Sequence, residues 1–295
     1  MAYSRILLGA NSTARSEPVV RTVRAADLKD ALAKGLADFM AMPTHALFLC
    51  AIYPVIGLVL ARLAFGYSVL PLLYPLASGF ALVGPVAALG LYELSRRREA
   101  GQDVSVTHAL DVLQSSSIGA IVALSILLMM IFGIWMAIAN AIYIGNFGYA
   151  SPASIRQFIT EVTTTSAGWT VIVAGNGIGL LFAILVLSIS VVSFPLLLDR
   201  DVGAAIAVAT SLRVVAKNPM TMALWGLIVA ALLFVGSLPA FLGLTVVVPV
   251  LAHATWHLYR KAVKADGTPR PTQHKPPSTR RHAADFPAVL FPWAK

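Results

Sequence analysis

Apolar residues along this chain come in long unbroken runs, without the alternation of a strand or the single stripe of a surface helix. Six runs stand out, at roughly 45–65, 70–94, 118–142, 170–198, 219–236 and 239–259. About 20 apolar residues carry a helix across ~30 Å of hydrocarbon, so each run predicts one span. The alternating segments of about 10 residues that would build a membrane β-barrel are missing. The predicted fold class is therefore all-α: a polytopic membrane helical bundle with six transmembrane helices. Gly236-Ser237-Leu238-Pro239 has the composition of a turn and separates the last two runs. Residues 66–70 make a similarly short connection.

The segments between runs have their own pattern. Residues 26–42 predict an amphipathic helix, with Leu28, Leu32, Leu36, Phe39 and Met40 on one face and Asp27, Asp30, Lys34 and Asp38 facing away. Residues 104–116 and 203–218 occupy corresponding places before the third and fifth runs. Aligning Leu36, Leu110 and Leu212 brings Pro43, Ser117 and Pro219 into register seven residues later, each at the foot of an outgoing span. The returning spans carry Pro85, Pro195 and Pro249. Around two of these, GPVAALGLYELSRR and VPVLAHATWHLYRK align without a gap. The pattern predicts three parallel units of interfacial helix, outgoing span and proline-bearing returning span. The similarity is low, and chance stays open as the competing account. Parallel repeats occur in transport proteins and also as plain scaffold. In the outer loop, Ser151-Pro152 predicts an N-cap and first helical residue, followed by an apolar face of Ile155, Phe158, Ile159 and Val162.

Charge adds orientation. Basic residues cluster in the N-terminal segment, at Arg96-Arg97-Arg98, at Arg200, Arg213 and Lys217, and after Tyr259; only Arg62 and Arg156 fall on the other side. The positive-inside rule then places both termini in the cytoplasm. The net charge of +9 needs no nucleic-acid partner. The expected partners are the lipid bilayer and its anionic headgroups, with Trp256 and Tyr259 at headgroup level and Arg260, Lys261 and Lys264 just beyond. Domain organisation reads as a flexible N-terminus (1–22), a six-span membrane domain (23–262) and a disordered, basic, proline-rich C-terminal tail (263–295). That tail is a candidate site for a protein partner. The one cysteine, Cys50, cannot form an intrachain disulfide.

Four blocks carry a resemblance: VRAADLKDALAKGLADFMAMP (23–43), FALVGPVAALGLYELSRRREAG (80–101), VVSFPLLLDRDV (191–202) and PVLAHATWHLYR (249–260). Together they resemble the bacterial integral-membrane family with domain of unknown function 2189, over about residues 20–262. The resemblance implies a bacterial inner-membrane protein with about six helices, and no activity. Some relatives carry a cytochrome c oxidase label. A haem–copper subunit needs several intramembrane histidines, and the second to fifth spans here hold none.

Candidate chemistry is sparse. His253 and His257 stand at i, i+4, a spacing that lets two imidazoles reach one metal; His45 is the candidate third ligand, with Glu93 or Asp199 at similar depth. The competing reading hydrogen-bonds these histidines to backbone carbonyls or lipid phosphate, and no cofactor is expected. Glu93 precedes Arg96 and Arg97 at surface-pair spacing. Asp199-Arg200-Asp201 marks the exit of the fourth span, with Asp201 as a candidate cap for the next helix. Pro85, Pro195 and Pro249 free backbone carbonyls that must find other donors in lipid, and such kinks either line a cavity or shape packing. Asn176 sits in Gly175-Asn176-Gly177-Ile178-Gly179, where close helix contact is expected. There is no phosphate loop, HExxH or GxSxG, and no charge is buried at mid-membrane depth, the usual mark of pumps. The function expected is that of a non-enzymatic scaffold, assembly or envelope-homeostasis factor. The alternatives are a transporter or channel for an apolar or amphiphilic solute, and a haem- or metal-binding membrane subunit.

Overall fold

The computed structural model describes residues 17–42, 70–72, 75–76, 79, 84–149, 152, 154–239 and 241–265. The first predicted span, part of the second (73–74, 77–78 and 80–83), His45 and the C-terminal tail from residue 266 lie outside the described residues. The helices are α1 (Ala25–Ala41), α2 (Leu89–Glu99), a 3-10 helix (Val106–Gln114), α3 (Ile118–Phe147), α4 (Ile155–Thr164), α5 (Ser166–Ser190), α6 (Ser193–Asp199), α7 (Ala204–Lys217), α8 (Pro219–Ser237) and α9 (Leu244–Ala262).

Three stretches are long and apolar enough to cross a membrane: Ile118–Phe147, Ser166–Asp199 and Pro219–Ser237. They match the third to fifth predicted runs. No charged side chain falls within α3, α5 or α8. The 30 residues of α3 extend about 45 Å at 1.5 Å per residue, more than the hydrocarbon thickness, so α3 tilts or projects beyond it. The sixth run also folds as a helix, α9. Its second half carries His253, His257, Arg260 and Lys261, and it falls outside the three qualifying stretches.

The fourth run breaks where its sequence says it must. Pro195 cannot donate to the carbonyl four residues back, and the helix turns at Val191–Val192 before resuming as α6. Hydroxyls take up the slack. Ser190 donates to Val186 O at 2.6 Å, Ser193 donates to Ile189 O, and Val192 N donates to Ser211 Oγ at 3.3 Å. Every residue of α6 is buried.

The packing has an inner and an outer set. The returning helices α2, α6 and α9 all touch one another. Outside them, the 3-10 helix packs on α2, α7 packs on α5 and α6, and α1 packs on α9. Of the apolar spans, α3 lies against α5 and α8 against α9. The N-terminal segment is fastened across the last helices. Val20 and Val263 form an antiparallel bridge, with Arg21 N donating to Ala262 O at 2.8 Å and Lys264 N to Val19 O at 2.9 Å. Asn218 grips the same segment, its Oδ1 accepting from Val23 N at 2.7 Å and its Nδ2 donating to Arg21 O at 3.1 Å.

Several local expectations change. The face of α1 turned to the protein carries Leu28, Ala31, Gly35, Asp38 and Phe39, while Leu36 and Met40 are exposed. Asp38 therefore faces in, not away. Gly35 explains the choice of face: a Cβ there would stand 2.6 Å from Ala254 N and 2.7 Å from Val250 O, so only hydrogen lets the helices meet this closely. The segment before α3 is a 3-10 helix, not an α-helix, capped by Ser105 and with His108 Nδ1 accepting from Ser105 N at 3.1 Å. The N-cap of α4 is Ser154, whose Oγ accepts from Gln157 N at 3.1 Å, in place of Ser151. The N-cap of α7 is Gly203, in place of Asp201; its φ of 82° lies in the left-handed region that glycine adopts without strain. Among the described residues, Gly175 and Gly177 have nothing within 4 Å of a built Cβ, while Gly179 of that patch meets Trp135.

Candidate functional site

Ionisable side chains concentrate where α1, α2, α6 and α9 converge. Sequence dictates this locally. The last turn of α2 reads Ser95-Arg96-Arg97-Arg98-Glu99, and basic groups suit the negative end of a helix. The last turns of α9 place His253, Trp256, His257 and Arg260 three and four residues apart, which brings them onto adjoining faces. Into this end α1 inserts Asp38, and α6 ends at Asp199.

Asp38 is the hub. Ser95 Oγ donates to its Oδ2 at 2.6 Å, His257 Nε2 lies 2.9 Å from the same oxygen, and Arg98 Nη1 bonds Oδ1. Ser95 Oγ is also 2.7 Å from His253 Nδ1. A hydroxyl has one proton, and here it goes to the carboxylate. His253 must then donate from Nδ1 to Ser95, leaving Nε2 as the bare nitrogen. That Nε2 is buried and has no hydrogen-bond partner among the described residues. Burial pushes the Asp38 carboxyl up, but the hydrogen bonds from His257 and Ser95 and the nearby imidazoles outweigh it and hold the group below its ordinary value.

Two further groups flank the hub. Glu93, buried, accepts from Arg96 through both oxygens at 2.7 and 2.6 Å and from Arg97 Nε at 3.1 Å; Arg97 reaches on to Asp111 of the 3-10 helix at 2.5 Å. The surface pair expected at Glu93 is thus a buried fork, the stronger bidentate form of the interaction. On the other flank, Tyr259 Oη donates to Asp199 Oδ2 at 2.6 Å and Arg260 Nη1 to the same oxygen at 3.3 Å. Arg260 Nε and Trp256 Nε1 both donate to Glu99, at 3.0 and 2.9 Å. Arg200 Nη2 donates to Lys264 O at 2.6 Å. Acids Asp38, Glu93, Glu99, Asp111 and Asp199 thus face Arg96, Arg97, Arg98, Arg200 and Arg260. Lys261 adds pairs to Asp30 at 2.9 Å and Asp27 at 3.6 Å on α1.

This layer corrects three expectations. Trp256 and Tyr259 are buried inside the protein rather than seated among headgroups, because their polar atoms find Glu99 and Asp199. Arg260 and Lys261 pair with protein carboxylates. Asp199 and Arg200 are buried, so the end of α6 lies inside the bundle. The two histidines bond Ser95 and Asp38, and His253 also has a backbone hydrogen bond to Leu91, in keeping with the expected backbone partner. Pro195 and Pro249 are buried and Pro85 is half-buried. Asn176 is exposed on α5, its amide donating to Ile172 O at 2.7 Å. Among the described residues, no group of three or more His, Cys, Asp and Glu side chains is arranged to hold a metal ion. Asp38, Ser95 and Arg98 were missed from sequence. The signal that finds Asp38 is the spacing Ala31, Gly35, Asp38, which marks a close-packed face by its small residues.

Long apolar helices joined at one end by a buried ionic layer define an integral membrane protein of the helical-bundle class. Residues 73–199 match the family model described as Predicted integral membrane protein (DUF2189). The match covers a shorter stretch than the four resembling blocks and includes Glu93, Ser95, Arg96, Arg97, Arg98 and Asp199; Asp38, His253 and His257 lie beyond it. No curated protein and no solved structure matches the chain.

Proposed function

We propose that the protein is a non-enzymatic scaffold of the membrane, built as a closed ring of three units. The observation that carries this reading is the order of packing. Each interfacial element lies on the returning helix of the unit before it: the 3-10 helix on α2, α7 on α5 and α6. The first, α1, closes the circle on the last, α9. Burial supports the register. Gly35, Ala109 and Ser211 are buried, the leucines that follow them are exposed, and Asp38, Val112 and Val214 three residues on are buried again. Asp38 takes the place that valine holds in the other two units, so a charge at this register position belongs to the closing contact.

Chemistry favours structure over turnover. The acids at the hub and its two flanks are held by protein partners. Ser95 is fully buried, its hydroxyl held by the Asp38 carboxylate and His253 rather than presented to a substrate. Basic loops gathered at the layer support a cytoplasmic placement of that end. The test is reconstitution. Purified protein in vesicles loaded with carboxyfluorescein, or with pyranine under a proton gradient, is expected to leak and acidify no faster than empty vesicles. Saturable flux would replace the scaffold with a carrier. Cysteines introduced at Gln102 and at Lys264 should be labelled from the same face of the bilayer, and labelling from opposite faces would break the ring.

A further inference from the structure

Outward faces of the interfacial elements carry the wrong chemistry for water. On α7 the exposed line is Ala205, Ala209, Leu212 and Ala216, at helical spacing. On α1 the exposed residues change along the axis. Arg24, Lys29 and Lys34 occupy the first part, and from Leu36 onward only Leu36, Ala37, Met40 and Ala41 are exposed. The 3-10 helix exposes Leu110 and Leu113 beside Thr107 and Gln114. A solvated helix face of this length would carry charge.

We propose that Leu36, Met40, Leu110, Leu113 and Leu212 form a collar seated in the headgroup–acyl boundary of one bilayer leaflet. The occupant is lipid because the apolar faces adjoin the lipid-facing rows of the spans, with Lys217 at one junction and Gln114 and Ser116 at the other. Leu212 leads through Met220, 82% exposed, to Leu224 and Leu227 of α8. Leu113 leads to Val122, Ile126 and Met129 of α3. Charge agrees with the placement. Lys29 and Lys34 stand at the watery end of α1, where an ammonium meets anionic phosphate, and the apolar part begins within a turn of them. The boundary therefore crosses α1 between Lys34 and Leu36. Apolar burial of this kind, with basic residues at its edge, is how interfacial helices bind a leaflet.

Equal depth for the three leucines rests on the three-unit reading; immersion itself does not. The test uses single cysteines at positions 29, 36, 110 and 212 in a Cys50→Ser background, spin-labelled and reconstituted in phosphatidylethanolamine–phosphatidylglycerol vesicles. Accessibility to oxygen and to a water-soluble nickel chelate reports depth. Labels at 36, 110 and 212 are expected to be oxygen-accessible and shielded from nickel, and the label at 29 the reverse. Nickel-accessible labels at 36, 110 and 212 would overturn the collar and leave the ring standing. Immersed labels at clearly different depths would support the collar and refute the equivalence of the units. All four positions are exposed, so the variants leave the packed interior intact. Repeating the measurement on a Leu212→Ser, Leu110→Ser protein should bring the label at 36 closer to water if the collar is held jointly.

Discussion

The close contact of α1 with α9 at Gly35 is the most direct place to test the ring. Consider Gly35→Ala. The new Cβ would stand 2.6 Å from Ala254 N, 2.7 Å from Ala254 Cβ and 2.7 Å from Val250 O. Carbon atoms in contact prefer about 3.5–4.0 Å, so α1 must back away from α9 by about 1 Å. None of the three opposing atoms can swing aside, because two are backbone and one is a Cβ. Asp38 sits one turn further along the same face and would move with the helix. Its bonds to Ser95 (2.6 Å) and His257 (2.9 Å) would then stretch past the ~3.2 Å end of the normal range. Overpacking costs about 1–3 kcal/mol, and a weakened hydrogen bond to a charged group about 1.5–3 kcal/mol. Better helix propensity offsets about 1 kcal/mol. The expected net loss is about 2–5 kcal/mol. The control is Gly177→Ala, where nothing stands within 4 Å of the added carbon; it should be neutral or slightly stabilising. Sodium dodecyl sulfate titration in mixed micelles, followed by circular dichroism, measures both. An alanine at 35 that unfolds at or above the wild-type midpoint would refute the close-packed placement of α1.

Tyr259→Phe removes one bond to the buried Asp199 carboxylate and should cost about 1–3 kcal/mol in the same titration; no change would mean that Asp199 is satisfied without it. Glu93→Ala strands Arg96 and should be the harsher change, about 3–5 kcal/mol for a broken buried pair, with Glu93→Gln recovering part of the loss. Asp38→Asn makes a prediction in pH. The carboxyl is held below its ordinary value, so its contribution is complete above the unfolded-state value and is lost as pH falls through the folded-state value. The gap between wild type and Asp38→Asn should be widest near neutrality, begin to narrow as pH falls below about 4, and close below the lowered folded-state value. A gap unchanged at about pH 2.5 would show that Asp38 contributes through shape alone.

Long-range order was more legible in the residues than local orientation. Length and apolarity alone placed α3, α5, α6 and α8, because the hydrocarbon imposes a minimum run that few other folds mimic. Pro195 announced the break before α6 for a purely local reason, its missing N–H. The apolar stripe of α1 divides in the fold: Leu28 and Phe39 face the protein while Leu36 and Met40 face out, and a small-residue ridge that carries Asp38 makes the contact. Likewise, Trp256 and Tyr259 have the composition of interfacial anchors, but composition does not reveal that Glu99 and Asp199 wait for their polar atoms. Such partners lie far apart in the chain, 157 residues for Trp256 and Glu99, and no periodicity reports them. His253 and His257 were singled out by spacing, while the acid and hydroxyl that engage them could only be found in three dimensions.

Fastening the N-terminal segment and α1 to α9 also sets a schedule for biogenesis. Helix α1 leaves the ribosome well before α9, so Asp38, Gly35 and Val20 wait through the synthesis of the whole intervening chain for the surface they complete. During that interval a carboxylate has no His257 and a glycine groove has no Ala254. Closure can therefore serve as a checkpoint of completeness: a chain truncated before Val263 leaves its first helix undocked, displaying an unmet acid that proteolytic surveillance can read.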